Sequence, residues 1–448
     1  MDIQRKIMAQ LLRWKGEADR KPLIIHGARQ IGKTWVMRKF GELHYKHVAY
    51  FNFDSNEDLA KEFEKTKDPK RLIRNLGAYS DDPIIPGDTL IIFDEIQECG
   101  RALNSLKYFY EEAPEYHIIS AGSLLGVALL REEGFPVGKV DFITMYPLSF
   151  SEYFNAYDQK SCRILENCEH ITDLQELPSI VWTRMWEAYR QYQICGGMPK
   201  AAVASLLGEG NAKVDQIQKA LLTSFYMDFS KHAPVAEFPK IAQVWKSLPS
   251  QLAKENRKFL YTVVKPGARA REYESALAWL REAGLIYQIY CCSKPDLPLS
   301  AYDELNAFKI YLLDSGLLRV LAEMPAELLL EDNARFVEFK GALAENMVLQ
   351  QMLTCMEGMP RYWVSQGTAE VDFLIQRGLE IVPIEVKSGS NVSSKSLSVY
   401  VKKYMPKMVI IFSHQELNII KGETTLLKLP LPMAAWLDKF TSEAFYQA

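Results

Sequence analysis

The chain carries Gly27-Ala28-Arg29-Gln30-Ile31-Gly32-Lys33-Thr34, one residue after the apolar run Leu23-Ile24-Ile25. Glycines let such a loop wrap closely around an anion, so that backbone N–H groups surround phosphate oxygens and the following helix directs its positive end at the same charge. Lys33 is placed to reach the β- and γ-phosphates, and the Thr34 hydroxyl to bind Mg²⁺. The eight residues therefore predict a nucleotide-binding loop. The alternative is a plain glycine turn between a strand and a helix.

A second motif is Leu90-Ile91-Ile92-Phe93-Asp94-Glu95, an apolar run that ends in two carboxylates. Apolar runs of this kind are typical of buried strands in parallel sheets. At such a strand end Asp94 would hold Mg²⁺, directly or through water, and Glu95 would orient and deprotonate the attacking water. The alternative is that the pair only caps the next helix. Taken together, the two motifs predict ATP and Mg²⁺ as cofactors and ATP hydrolysis as the reaction.

The first part of the chain alternates predicted strands and helices, after an amphipathic helix over residues 2–16. Alternation of this kind indicates a parallel sheet with helices on both faces. One predicted strand lies between the two nucleotide motifs, and with a Glu beside the Mg²⁺-binding Asp it favours the additional-strand, catalytic-glutamate division of P-loop ATPases. The predicted strands are 22–26, 47–53, 88–93, 116–121 and 139–145.

The fourth predicted strand ends in serines, within the run His117 to Leu124. Ligands bind at the carboxyl ends of parallel strands, so Ser120 and Ser123 are candidate sensors of the γ-phosphate. The alternative is that the two hydroxyls satisfy the backbone of a local turn.

Composition is that of a globular protein: 448 residues, 48% hydrophobic, 24% charged, with a net charge of −3. The length predicts two or three domains. The charge argues against a globally basic nucleic-acid coat, although a local basic face remains compatible with it. Seven cysteines without a C-x-x-C pair indicate reduced thiols, and no apolar run approaches 18 residues. We therefore expect a cytoplasmic protein without a membrane segment or a signal peptide.

After about residue 200 the alternation is lost. Residues 214–260 are largely helical, 268–283 predict one strong helix, and strands follow at 285–290 and 308–313. Two helices followed by a two-stranded wing are typical of a winged-helix domain. Basic side chains cluster nearby and could contact DNA phosphates, chiefly through Lys265, Arg269 and Arg271. The alternatives are a solvated face or a contact within the chain. The full cluster is Lys254, Arg257, Lys258, Lys265, Arg269 and Arg271.

The C-terminal part holds a second acidic constellation. Glu385 and Lys387 are two residues apart on a predicted strand and therefore share a face. Asp372 opens the preceding strand, and Glu345 lies on a helix before it. An Asp followed by Glu-x-Lys is the ligand set of the PD-(D/E)xK nuclease fold, in which Asp372 and Glu385 would bind a second Mg²⁺ and Lys387 would steady water or phosphorane charge. The alternative is a salt-bridged solvent face without nuclease activity.

These residues together resemble a prokaryotic family that joins an AAA-type P-loop ATPase domain to a C-terminal domain of unknown function. The resemblance implies an α/β fold in three parts: an AAA-type ATPase domain (1–200), a helical and winged-helix domain (201–325) and a C-terminal restriction-endonuclease-like α/β domain (326–448). Besides the motifs above, the matching segments are Tyr146 to Glu152, Gly196-Gly197-Met198-Pro199, Tyr311 to Leu317, Gly341 to Asn346, Glu370 to Phe373 and Pro383 to Ser388.

One position departs from the family pattern. Many relatives carry Gly-Arg before the Pro-Leu-Ser-Phe segment, whereas this chain has Gly138-Lys139. If that position acts on the γ-phosphate, Lys139 keeps the charge but loses the bidentate fork of arginine. Arg131 is an alternative. AAA-type sites are often completed by an arginine from a neighbouring subunit. A homo-oligomer is therefore compatible with this site.

Three hypotheses follow from these motifs. In the first, ATP hydrolysis in the N-terminal domain repositions the winged-helix and C-terminal domains, with DNA as the partner. In the second, the protein is an ATP-gated DNA nuclease that uses the C-terminal acidic set. In the third, it is a nucleotide-dependent scaffold that binds a protein partner and cleaves nothing.

Overall fold

The computed structural model describes residues 1–122, 138–254, 258–330, 337–389 and 395–442. These residues form two compact units. The first unit contains the described parts of Arg5–Tyr146 together with Glu282–Leu285, and the second contains Met1–Gln4, Pro147–Arg281 and the described parts of Ile286–Ala448. This division does not test the three-domain organisation expected from the sequence, which stays a prediction.

The first unit is built on a five-stranded sheet in the order β2-β3-β4-β1-β5, with every neighbouring pair parallel. The predicted α/β sheet is therefore confirmed, and β4 lies between the strand before the phosphate loop and the strand that ends at Asp94. Its elements are α1 (Ile7–Gly16), β1 (Leu23–His26), α2 (Lys33–His44), β2 (His47–Asn52), α3 (Glu57–Lys65), α4 (Pro69–Leu76), β3 (Thr89–Asp94), α5 (Gly100–Glu112), β4 (His117–Gly122) and β5 (Asp141–Thr144).

Strand β3 lies at the centre of this unit because all six of its residues are buried. The ring of Phe93 contacts those of Phe51, Phe53, Phe63 and Phe109, with centroid separations from 5.6 to 6.4 Å. Aromatic pairs at such distances add to the free energy gained by burial. The residue after Phe93 is Asp94, so this packing also fixes where the acidic end of the strand lies.

The second unit combines helices with an eight-stranded sheet. Its helices are α6 (Phe150–Tyr157), α7 (Gln159–Glu166), α8 (Ile171–Gln175), α9 (Ser179–Cys195), α10 (Pro199–Leu206), α11 (Asn211–His232), α12 (Phe238–Leu252), α13 (Tyr261–Val264), α14 (Ala270–Glu282), α15 (Ser315–Leu321), α16 (Glu327–Leu330), α17 (Val337–Cys355), α18 (Lys395–Tyr404) and α19 (Leu437–Phe440). Its strands are β6 (Ile286–Cys292), β7 (Asp303–Leu312), β8 (Arg361–Val364), β9 (Glu370–Arg377), β10 (Glu380–Val386), β11 (Met408–Ser413), β12 (Asn418–Ile420) and β13 (Thr425–Pro430).

The strand order of this sheet is β12-β13-β11-β10-β9-β8-β6-β7. β6 and β7 form an antiparallel hairpin, and β9 and β10 form another whose last pair is Arg377 with Glu380, so the predicted turn after Arg377 is present. β6 pairs in parallel with β8 at Cys291 and Tyr362. One sheet therefore joins the hairpin expected to be a wing to the strands that carry Asp372 and Glu385.

A buried carboxylate, Asp314, organises the helical side of the second unit. It caps α15, since Oδ1 accepts from the backbone N–H of Leu317 at 2.9 Å, and Oδ2 accepts from the N–H of Gly197 and, at 3.0 Å, from Nε2 of Gln350. Burial raises the pKa of Asp314, an effect that these donors partly oppose. Three distant segments thus meet at one side chain.

All seven cysteines are free thiols, six of them buried and Cys355 half-buried. In the five described ranges, no helix has both the length and the apolar character needed to cross a membrane.

The approach of Gly196 to Asp314 leads to a stability prediction. Gly196 has φ of 64°, and a Cβ there would clash with Oδ1 of Asp314. Gly196→Ala should therefore lower the free energy of unfolding by about 3–5 kcal/mol, combining backbone strain with disruption of a buried polar network. Urea denaturation of the purified protein measures this.

Gly208→Ala is the matched control, because Gly208 has φ of 71° but open space where a Cβ would be. We expect it to cost about 1 kcal/mol from the backbone alone. Equal losses for the two variants would contradict the role assigned to the contact with Asp314.

Candidate functional site

The phosphate loop connects the end of β1 at His26 to the start of α2 at Lys33. Its conformation depends on Gly27, with φ of 150°, where a Cβ would clash with the carbonyl oxygen of Met145. Gly32 has φ of 95° and directly precedes α2. Lys33 Nζ lies across the loop and donates to the carbonyl oxygens of Gly27 at 2.8 Å and Ala28 at 2.7 Å. The loop therefore has the glycines and the lysine where the sequence predicts them.

The Asp94 carboxylate lies next to the loop. Thr34 Oγ1 donates to Asp94 Oδ2 at 2.7 Å, across the gap between the start of α2 and the end of β3. The backbone N–H of Glu95 donates to Oδ1 at 3.1 Å. The two motifs, far apart in sequence, thus meet at hydrogen-bond distance.

Glu95 follows in a left-handed conformation, with φ of 50°, at the start of a 3-10 turn. Few non-glycine residues adopt this conformation, and such strain is concentrated at functional sites. Gln97 Nε2 donates to Oε2 of Glu95 at 2.7 Å, which holds the carboxylate in one orientation. A half-buried carboxylate held beside the phosphate loop can act as the base that activates water.

Mg²⁺ fits the pair formed by Thr34 and Asp94. The cation prefers hard oxygen ligands and keeps several of its waters. A hydroxyl and a carboxylate oxygen 2.7 Å apart supply such ligands. Bound there with ATP, Mg²⁺ would neutralise charge that develops on the β- and γ-phosphates.

Ser120 occupies a different environment from the one expected of a sensor. It is in register with Phe93 and Ile24, both in the apolar core, whereas Asp94 is in register with Ala121. Because neighbouring residues of a strand point to opposite faces, Ser120 shares the face of Phe93 and not that of Asp94. Its buried Oγ has no hydrogen-bond partner among the described residues. The structure therefore does not bring Ser120 to the phosphate loop, and Ser123 lies outside the described residues.

Lys139 is also far from the loop within its own unit. It precedes β5, whose first residue, Asp141, is in register with Leu23 at the amino end of β1. The loop follows the other end of β1, about 13 Å away at the usual rise per strand residue. Lys139 Nζ instead pairs with Glu111 at 3.0 Å. Arg131, the alternative, lies outside the described residues.

Two further residues contact the site without having been predicted from the sequence. The Tyr50 hydroxyl, on β2, donates to Oδ2 of Asp94 at 2.8 Å. The guanidinium of Arg38, on α2, lies over the Tyr50 ring, 3.8 Å from its centroid. One signal was available: Arg38 follows Thr34 by four residues, so the two share a helix face.

The C-terminal acidic residues lie at neighbouring strand ends. Oδ2 of Asp372, on β9, accepts from the backbone N–H of Val386 at 2.8 Å, which sets Asp372 beside the end of β10. Glu385 Oε1 accepts from Lys387 Nζ at 2.6 Å. Glu385 is in register with Ile411, which packs in the cluster under α18. Asp372, Glu385 and Lys387 are therefore close together, as the sequence indicates.

Glu345 is directed elsewhere. It lies on α17, is buried, and accepts from the Tyr311 hydroxyl at 3.1 Å. Across the part of the chain that the structure describes, no group of three His, Cys, Asp or Glu side chains is arranged to hold a metal ion. The predicted second Mg²⁺ site thus has two carboxylates, Asp372 and Glu385, and lacks a third.

The basic residues expected to meet DNA lie around the start of α14. Lys265, Arg269 and Arg271 are all exposed. The backbone N–H of Arg269 donates to Glu272 Oε2 at 3.1 Å, which caps the helix. Arg257 lies outside the described residues. The exposed cations are compatible with phosphate contact and equally with a solvated face.

Comparison with protein families divides the chain into three matches. Residues 19–154 match a family described as an AAA domain, and residues 186–328 and 340–431 match two domains of unknown function, DUF8612 and DUF4143. The first match covers the parallel sheet, the phosphate loop and Asp94. This part of the chain is an AAA-type P-loop domain.

Solved structures give weaker similarities. The Walker-type ATPase PABY2304 of Pyrococcus abyssi is 15% identical, with 71% of this chain and 96% of that chain covered and a TM-score of 0.46. The Aeropyrum pernix ORC1 protein in complex with DNA is 14% identical, with 74% and 96% covered and a TM-score of 0.29. The Thermotoga maritima RuvB Holliday junction branch migration motor is 11% identical, with 65% and 90% covered and a TM-score of 0.26. No curated protein matches the chain.

The lysine of the phosphate loop has a strongly lowered pKa. Burial lowers the pKa of Lys33 to about 8, an effect that the charges of Glu95 and Asp94 partly offset. Nucleotide phosphates would add negative charge beside Lys33 and raise that pKa. Binding of ATP would therefore be linked to uptake of a proton by Lys33 above pH 8.

We expect the dissociation constant for a fluorescent ATP analogue to be flat from pH 7 to about 8 and then to rise by up to about tenfold per pH unit. Fluorescence titration from pH 7 to 9.5 measures it. Lys33→Arg is the control, since its guanidinium stays charged over this range. A constant affinity to pH 9.5 in the parent protein, or the same rise in Lys33→Arg, would contradict the linkage.

Proposed function

We propose that the protein is a Mg²⁺-dependent ATPase. The observation that carries the proposal is the 2.7 Å contact between Thr34 Oγ1 and Asp94 Oδ2, next to a lysine that already lies across the phosphate loop. The match of residues 19–154 to an AAA domain supports it. Each residue then has a role that its position allows.

Backbone N–H groups of the loop and Lys33 bind the phosphates. Thr34 and Asp94 supply oxygen ligands at the metal position. Glu95, held by Gln97, takes the proton of the attacking water, and transfer to the bulk follows through its half-exposed side. These assignments agree with the general pattern of phosphoryl transfer, in which positioning and electrostatics supply most of the catalysis.

Two substitutions separate binding from hydrolysis. Lys33→Ala should abolish activity and weaken ATP binding, because the buried cation beside the phosphates is lost. Glu95→Gln should retain ATP binding while lowering kcat by about 10²–10⁴-fold, the usual contribution of a general base. Phosphate release at saturating Mg-ATP and binding of a fluorescent ATP analogue measure the two effects.

Lys46→Ala and Glu115→Gln serve as controls, since both residues lie in the same unit, exposed or part-exposed and remote from the loop. Activity that survives both site substitutions would overturn the proposed function.

A finer part of the proposal is that nucleotide state controls the helical and C-terminal parts of the chain, with DNA as the partner. Supporting it, α12, α13 and α14 precede the hairpin β6–β7, and Lys258 forms an antiparallel bridge with Lys309 of that hairpin. Helices followed by a hairpin favour the winged-helix interpretation. The exposed Lys265, Arg269 and Arg271 supply positive charge at the start of α14.

One observation favours a second candidate, an ATP-gated DNA nuclease. Asp372 accepts from the backbone N–H of Val386, so it lies beside Glu385 and Lys387 near the ends of two neighbouring strands of a mixed sheet. Lys387 is ion-paired with Glu385, so its ammonium group lies next to one of the two carboxylates. The two carboxylates would hold the cation, and Lys387 would steady charge on the phosphate.

Asp372→Asn tests this candidate, because the amide oxygen can still accept from Val386 while the charge is lost. If the chain is a nuclease, plasmid and single-stranded DNA incubated with ATP and Mg²⁺ or Mn²⁺ should be cut by the parent protein and about 10²-fold more slowly by the variant, a loss of the size expected for one catalytic electrostatic group. Gel analysis of the products measures the rates.

Asp438→Ala, at an exposed position of the same unit, is the control and should cut normally. No cleavage by the parent protein, or cleavage that Asp372→Asn leaves unchanged, would exclude the nuclease. Tight ATP binding without turnover, no DNA affinity and a co-purifying protein would instead support the scaffold hypothesis.

A further inference from the structure

Tyr50 is the feature of the AAA-type domain that the proposed roles leave unexplained. It lies in the middle of β2, two residues before Asn52, and Asn52 is in register with Asp94. Residues two apart on a strand share a face, so Tyr50 lies on the same face of the sheet as Asp94. A large polar side chain at this position is not required by the apolar core, which packs on the opposite face around Phe51 and Phe93.

The Tyr50 hydroxyl and the Thr34 hydroxyl donate to the same oxygen. Their distances to Oδ2 of Asp94 are 2.8 and 2.7 Å. The other oxygen, Oδ1, accepts from the backbone N–H of Glu95 at 3.1 Å. Three donors from β2, α2 and the end of β3 thus fix both the position and the rotation of one carboxylate.

Tyr50 is itself held at both ends. The Arg38 guanidinium lies 3.8 Å from the ring centroid, and Nδ2 of Asn52 approaches the hydroxyl at 3.3 Å. Arg38 follows Thr34 by one turn of α2, so the two side chains lie on the same face of the helix. Arg38 contacts the ring of Tyr50, and Thr34 contacts Asp94, the carboxylate to which the Tyr50 hydroxyl donates. A cation this close to an aromatic face is favourable.

We propose that Tyr50 is a positioning residue, which holds Oδ2 of Asp94 in the orientation that Mg²⁺ requires when it binds with ATP. Mg²⁺ demands nearly ideal octahedral geometry and gives up its waters reluctantly. A carboxylate that must bind it, directly or through water, is therefore sensitive to rotation. The inference rests on the proposed function, since it assigns a role at the same metal position.

Tyr50→Phe removes the hydroxyl and keeps the ring on which Arg38 lies. The readout is the affinity of a fluorescent, non-hydrolysable ATP analogue, measured in excess Mg²⁺ and again in EDTA. The gain in affinity from Mg²⁺ should fall by roughly tenfold in the variant, the size expected for one hydrogen bond to a charged group. The affinity in EDTA should stay within about twofold, because the loop and Lys33 are unchanged.

Arg38→Ala is the second variant. It should lower the gain in affinity from Mg²⁺ by about threefold, since the Tyr50 hydroxyl remains but the Tyr50 ring is held less firmly. Tyr79→Phe is the control, a hydroxyl removed from the same unit near Glu62 and away from the loop. A Mg²⁺-dependent gain in Tyr50→Phe within twofold of the parent value would overturn the proposal. So would an equal loss in the presence of EDTA, which would indicate only a structural role.

The two proposals fail separately. A parent protein that binds Mg-ATP but does not hydrolyse it contradicts the ATPase and leaves the test of Tyr50 intact. A parent protein that hydrolyses ATP while Tyr50→Phe keeps the full gain from Mg²⁺ contradicts only the role of Tyr50.

Discussion

The Asp94 carboxylate is the point on which the AAA-type domain depends. It lies at the end of a fully buried strand, and its two oxygens accept from Thr34, Tyr50 and the backbone of Glu95. A carboxylate in such a place is stable only if its lone pairs are satisfied, because an unpaired buried charge costs several kcal/mol. One of these donors, Thr34, lies in the first turn of α2 and is also one of the two residues proposed to bind the metal. Hydrogen bonds that pair these buried polar atoms therefore arrange the side chains of the proposed nucleotide site in the absence of nucleotide.

A similar requirement explains the family segments outside the ATPase site. The backbone N–H of Leu148 donates to the carbonyl oxygen of Gly197 at 2.7 Å. The N–H of Gly197 donates to Asp314, and Gln350 donates to the same carboxylate. Asn346 bonds both backbone groups of Leu312, at 2.8 and 3.0 Å. These residues are buried. The hydrogen bonds and burial of these residues indicate a role in packing.

The sequence predicts some features of the structure correctly and misses others. The reason is that some features depend on neighbouring residues, whereas others depend on residues far apart in the chain. The loop, the strand that ends at Asp94 and the β9–β10 hairpin carry local signals, namely glycine spacing, an apolar run and a turn dipeptide, so their positions agree with the structure. Placement across the sheet depends on register and strand direction. A parallel β5 sends Lys139 to the amino end of the sheet, and pairing with Phe93 turns Ser120 away from Asp94.

Glu345 and Tyr50 are two further residues whose contacts the sequence does not predict. Glu345 has the right type and order for a metal ligand, but the packing of α17 turns it to Tyr311. Tyr50 gives no motif signal at all, and its role is visible only once β2 and β3 are in register. Side-chain chemistry can thus be listed from the sequence, whereas which groups meet is decided by the sheet.

Within the second unit, the sheet also decides what could act together. The hairpin β6–β7 meets the C-terminal strands through the pair Cys291 and Tyr362, and Lys309 of β7 forms an ion pair with Glu370 of β9. Lys309 is fully buried, so separating the pair would remove the Glu370 carboxylate from a buried ammonium group, which is unfavourable. A displacement of the hairpin that preserved this pair would have to carry the start of β9 with it. Asp372 lies two residues further along that strand, so the ion pair connects the hairpin to the strand that carries Asp372.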